Sequence, residues 1–174
     1  MALSAVKTVP TGEPVKTYSL FIDGKWSGAA DGAMVDDFNP ATGALFARVA
    51  QAGRADALRA VEAAYKARDS WARLIVSERA AILLRAAEIL STRVDEFREV
   101  LIDESGSTFG KAMFEVFYCI DLLRSAAGDA RHIFGETLPH SMNGQVGMTV
   151  RQPLGVIGGI APFNAPFLDR KSVV

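Results

Sequence analysis

Two apolar stripes, each advancing in steps of three and four residues, constrain this chain more than any other feature. Leu83, Ala87, Leu90, Val94, Phe97 and Leu101 form the first, and Met113, Val116, Ile120, Leu123, Ala127, Ala130 and Phe134 the second. Such spacing keeps apolar side chains on one face of an α-helix. It predicts one helix starting after Ser77, as its N-cap, and ending near Gly106, and another over 108–134 closed by Gly135. Two stripes of similar length on either side of a short connection at 104–107 should pack antiparallel and share a core. A further helix over 54–71 places Leu58, Val61, Tyr65 and Trp71 near one face.

The flanking segments read differently. Residues 1–17 are rich in turn formers and form an expected flexible leader. Tyr18, Leu20 and Ile22 alternate with Ser19 and Phe21 ahead of Asp23-Gly24, a strong hairpin signal, and Lys25-Trp26 begins the return strand. A turn over 36–43 precedes a strand expected at 45–49. Together with the helices these make up one unit over 18–136. Residues 137–153, with Leu138-Pro139 and Asn143-Gly144, read as a hairpin in which Met148, Val150 and Gln152 share a side. Residues 154–168 read as a buried parallel strand that stops at prolines.

Composition narrows the class. Hydrophobic residues are 49% and charged residues 22% of the 174, the balance of a soluble globular chain. A net charge of -1, from 20 acids and 19 bases, gives no field for nucleic acid or an acidic membrane. No apolar run approaches the ~20 residues of a membrane-spanning helix. The N-terminal residues carry no secretory pattern, so the cytoplasm is the expected compartment. A single cysteine, Cys119, rules out an internal disulfide and a multi-thiolate zinc site.

Few residues invite chemistry. Cys119 lies within the second stripe with no His in helical reach, and reads as buried and structural. His132 and His140 lack an acidic partner at ligand spacing, so no metal site is expected. The glycines of 155–159 do not follow G-x-G-x-x-G. Asn164 stands out: an amide directly after an apolar strand, between Pro162 and Pro166. The carboxyl ends of strands are where open α/β sheets bind ligands. A neutral N–H donor there can stabilise an oxyanion without exchanging a proton. The alternative is a turn asparagine bonding its own backbone.

Residues 151–166, R-Q-P-L-G-V-I-G-G-I-A-P-F-N-A-P, resemble the R-x-P-L-G-V and P-[WF]-N-x-P motif of the aldehyde dehydrogenases. Upstream, F-I-D-G-K-W at 21–26 resembles that family's first hairpin, and N-P-A-T-G at 39–43 its N-P-A-T-G turn. Trp71, Arg79 and E-S-G at 104–106 follow in the family's order. The resemblance runs from Tyr18 to Leu168. It implies an α/β fold comprising short β-hairpins, three helices, an oligomerisation-type hairpin and the first strand of a Rossmann-like cofactor sheet. It also implies NAD or NADP as cofactor, an aldehyde as substrate and assembly of the parent as a homodimer or homotetramer.

In the family a cysteine thiolate attacks the aldehyde, hydride passes to the nicotinamide, and water activated by a glutamate hydrolyses the thioester. The motif asparagine donates to the substrate oxygen, a role that falls on Asn164. Ile160, Ala161, Pro162 and Phe163 match the strand end lining the cofactor site. The sequence also departs from the family. The nucleophile of G-Q-x-C and the base of E-L-G-G do not occur in these 174 residues, and Cys119 does not match the nucleophile. The expectation is an N-terminal fragment that is inactive alone.

The P-F-N-A-P variant points to branches acting on aromatic aldehydes, with semialdehyde oxidation as the second reading. A non-catalytic helical interaction module is the alternative class. After Leu168 the pattern breaks into D-R-K-S-V-V at 169–174. That string is the translation of GATCGGAAGAGCGTCGTG, the opening of a widely used short-read sequencing adapter whose next codon is a stop. The tail is therefore expected to be non-native.

Overall fold

The computed structural model describes residues 15–139 and 142–168. Most of the leader, His140 and the tail at 169–174 lie outside the described residues. The chain opens with β1 (Lys16–Tyr18), β2 (Leu20–Ile22), β3 (Lys25–Ser27), β4 (Met34–Phe38) and β5 (Leu45–Ala50). β2 and β3 form the expected hairpin, antiparallel, with Phe21 opposite Trp26. Its turn holds Asp23 at φ 54° and Gly24 at φ 72°, the left-handed angles that Asp-Gly accepts at low cost. β1 takes in Lys16 and Thr17, which the sequence reading gives to the leader. It pairs parallel to β5, which pairs antiparallel to β4.

The N-P-A-T-G turn between β4 and β5 is built by its first residue. Asn39 Oδ1 accepts the N–H groups of Ala41 at 2.9 Å and Thr42 at 3.1 Å, while Asn39 Nδ2 donates to Asp103 Oδ1 at 3.1 Å. One asparagine thus makes the local turn and ties it to the helices. On the helical side of that junction Gly106 adopts φ 66°, and a Cβ there would lie 2.8 Å from Pro40 Cγ. Both the left-handed angle and the close approach call for glycine.

The described residues contain four α-helices where three are expected: α1 (Arg54–Arg73), α2 (Val76–Ser91), α3 (Val94–Ser105) and α4 (Phe109–Asp129). The predicted second helix is broken at Thr92-Arg93. Ser91 Oγ donates to Glu88 O at 2.7 Å and Thr92 Oγ1 to Ile89 O at 2.8 Å. Hydroxyls that take carbonyls of the last turn compete with helical bonding and favour a stop. The N-cap of α2 is Ile75, not Ser77, because Glu78 Oε2 accepts the Ile75 N–H at 3.0 Å. α4 starts where expected, with Thr108 as its N-cap rather than its first residue, and ends earlier than predicted, in a 3₁₀ turn at Ala130–His132. Gly135 does not cap it. A Cβ on Gly135 would stand 2.0 Å from Thr149 O, so this glycine serves the approach of the following hairpin.

The stripes survive the break. Ala87, Leu90, Leu101, Ala112, Val116, Cys119 and Ile120 form the buried cluster, with Val94, Phe97, Ile102, Leu123, Phe167 and Leu168 packed against it. α1 departs from the expectation. Leu58, Val61, Tyr65 and Trp71 are exposed, and Asp56 is its one buried residue. No described element lies over that face.

The hairpin after α4 is short: β6 (Thr137–Leu138) pairs antiparallel with β7 (Gly147–Met148), and Met148 and Val150 face solvent. Residues 154–168 do not form the expected strand. A strand requires a neighbour for its N–H and C=O groups, and the small sheets described here do not take it in.

Candidate functional site

Asn164 sits in a turn over 163–168 that leans on α3 and α4. The side chain of Asn164 is exposed. Of the four residues expected to line a cofactor, Ala161 and Pro162 are half-buried, while Ile160 is 99% and Phe163 91% exposed. A Cβ on Gly158 would meet nothing within 4 Å. Residues 154–163 therefore do not by themselves cradle a dinucleotide; they offer an uncovered apolar edge. The structure brings Asn164 and its neighbours onto one turn and does not enclose them in a cleft.

What fixes the turn is a residue that the sequence reading passed over. Glu115, 1% exposed on α4, accepts the backbone N–H groups of Phe167 at 2.8 Å and Leu168 at 2.9 Å on Oε1. Its Oε2 accepts Lys111 Nζ at 2.5 Å, and Lys111 Nζ also donates to Ser107 Oγ at 3.0 Å. Ser107 Oγ lies 2.9 Å from Ser105 Oγ, in the E-S-G segment. A polar chain thus runs from the end of α3 to the Asn164 turn. The signal that might have found Glu115 is its position: an acid one residue before Val116 on an otherwise apolar face, four residues after a lysine.

Cys119 is buried as expected, and its thiol donates to Phe167 O at 3.5 Å. The Phe97 and Phe167 rings stack with centroids 4.7 Å apart. His132 bonds locally, its Nδ1 lying 3.0 Å from Gly128 O. Among the described residues no three His, Cys, Asp or Glu side chains gather as metal ligands. Nor is any described helix long and apolar enough to cross a membrane. Burial, with the Asp37 and Glu115 carboxylates nearby, pushes Glu104 above the usual carboxylate range, partly offset by Lys111.

Known proteins resemble this chain along most of its length. It is 42% identical over 149 residues to a vanillin dehydrogenase of Pseudomonas sp. (strain HR199 / DSM 7063), covering 86% of this chain and 31% of the relative. It is 35% identical over 161 residues to malonate-semialdehyde dehydrogenase 2 of Bacillus thuringiensis (strain Al Hakam), covering 92% and 32%. The salicylaldehyde dehydrogenase of Pseudomonas putida G7, solved with salicylaldehyde, superposes with a TM-score of 0.84 at 31% identity over 88% of this chain and 32% of its own. An NAD-dependent aldehyde dehydrogenase from Sinorhizobium meliloti gives 0.83 at 31% identity, over 93% and 34%. The chain spans about a third of the length of each. The profile of the aldehyde dehydrogenase family matches residues 26–169. With its order of motifs, its helical core and its P-F-N-A-P turn, the chain belongs to the aldehyde dehydrogenase family.

Proposed function

We propose that this chain is the N-terminal part of an NAD(P)-dependent enzyme that oxidises an aldehyde, of aromatic type, to a carboxylic acid. The observation that carries the reading is the P-F-N-A-P turn, with Asn164 exposed at its head and its far end anchored to the helical core. Asn164 is assigned as the oxyanion donor. Its side-chain N–H supplies a neutral hydrogen bond to the aldehyde oxygen, strongest once charge gathers there, and holds no proton that the reaction needs. Ile160, Ala161, Pro162 and Phe163 would form one wall of the nicotinamide dinucleotide site. The nucleophile and the water-activating carboxylate fall outside these 174 residues, so the chain alone does not turn over.

Aromatic substrates are favoured by the vanillin dehydrogenase likeness at 42% identity. Semialdehyde oxidation is the second reading, favoured by the malonate-semialdehyde relative. The test is Asn164→Ala in a full-length aldehyde dehydrogenase carrying residues 15–168. Turnover should fall by ~10²-fold or more, as removal of an oxyanion donor does, with a smaller change in KM. Undiminished turnover would reduce Asn164 to a turn residue. Parallel assays with benzaldehyde-type and semialdehyde substrates separate the two substrate readings.

A further inference from the structure

We propose that Glu115 is a positioning residue for the aldehyde-binding asparagine, acting by clamping the backbone just beyond it; this rests on the oxyanion role assigned to Asn164. Burying a carboxylate is costly unless it is paired and hydrogen-bonded. Glu115 is both, and two of its three partners are main-chain N–H groups of consecutive residues, Phe167 and Leu168. Recognising backbone fixes where the chain runs, whatever its side chains. The hold is reinforced at the same residue by the Cys119 thiol on Phe167 O and the Phe97 ring on the Phe167 ring.

Asn164 lies three residues upstream, a span of at most ~10 Å. Pro162 and Pro166 restrict the φ angles on either side of it. A shift of Phe167 therefore passes to Asn164 with little slack. Misplacement of a donor by about 1 Å can cost about 10²-fold in rate. Lys111 and Ser107 orient Glu115 from the other side, so the E-S-G end of α3 is joined to the same device.

Two variants separate positioning from simple charge pairing. Glu115→Gln keeps the reach and an acceptor oxygen for the two N–H groups but loses the charge. Glu115→Asp keeps the charge and retracts the carboxylate by one methylene. In a full-length aldehyde dehydrogenase carrying residues 15–168, E115D is expected to lower kcat about tenfold or more with little change in KM. E115Q should recover most of that loss, and E115D in an N164A background should cost nothing further. Retained turnover in E115D, the reverse order of the two variants, or an equal loss in the N164A background would overturn the proposal. Amide exchange in the 174-residue chain reads the clamp without reference to Asn164. Exchange at Phe167 and Leu168 should be faster in E115D than in E115Q, and unchanged exchange would overturn the clamp whatever N164A does.

Discussion

Asp56 and Glu115 are the two acids buried among the described residues, and each is placed to gather backbone N–H groups. Asp56, 1% exposed at the third position of α1, accepts the N–H groups of Gly53 at 3.0 Å and Ala30 at 3.1 Å, and Arg59 at 2.6 Å. One side chain thereby starts α1 and fixes the loop after β3. The Arg59 hydrogen bond first, then the Gly53 and Ala30 N–H groups, hold its carboxyl below the ordinary 3.8, against the opposing effect of burial. A carboxylate with a depressed folded pKa contributes stability that is present above its unfolded value and lost as pH falls through the folded one. Asp56→Asn should therefore lower the thermal midpoint at neutral pH. The gap to the parent should begin to narrow as pH falls below about 4, where the unfolded carboxylate takes up its proton, and close only below the depressed folded value, where both proteins carry a neutral group. A gap that stays constant down to about pH 3 would show that the charge of Asp56 contributes nothing.

At the scale of elements, one period describes two different faces. The stripes of α2, α3 and α4 meet each other and are buried, whereas the stripe of α1 is exposed. Removing side-chain volume should separate them. Ile120→Ala, within the buried cluster, is expected to cost ~2–4 kcal/mol in urea unfolding, through lost transfer energy and a residual cavity. Leu58→Ala, on the open face of α1, should change stability by no more than about 0.5 kcal/mol. Equal losses at the two positions would mean that α1 is covered in solution. The same periodicity also ran through Thr92 as if α2 and α3 were one helix. A continuous apolar stripe marks a shared buried face, and hydroxyl-to-carbonyl bonding at Ser91 and Thr92 decides where the backbone interrupts it.

At the scale of the whole molecule, the 174 residues carry the proposed oxyanion donor on a turn and the residues proposed to line a cofactor, without the G-Q-x-C or E-L-G-G segments. The purified chain should give no aldehyde-dependent NADH formation across aromatic aldehydes and semialdehydes, by absorbance under saturating NAD. Turnover that persists after Cys119→Ala would contradict the assigned mechanism. The exposed α1 stripe and the unpaired residues 154–160 leave apolar surface on this chain, so dye binding to exposed apolar surface should exceed that of a chain with a closed core.

By itself the sequence determined the local and periodic features. The Asp-Gly hairpin, the Asn39 turn and the buried helical stripes rest on contacts within a few residues or on a repeat that any helix expresses. Asn164 was singled out from contiguous residues too, its prolines and apolar lead-in, while its proposed role comes from the family motif. Only the tertiary structure decided which apolar face is covered, where the long stripe breaks, and whether residues 154–168 find strand partners. It alone revealed Glu115, whose partners Phe167 and Leu168 lie 52 and 53 residues away in sequence. Burial and long-range hydrogen bonding depend on what a segment meets in space, and one acid beside an apolar stripe does not name the backbone it will hold.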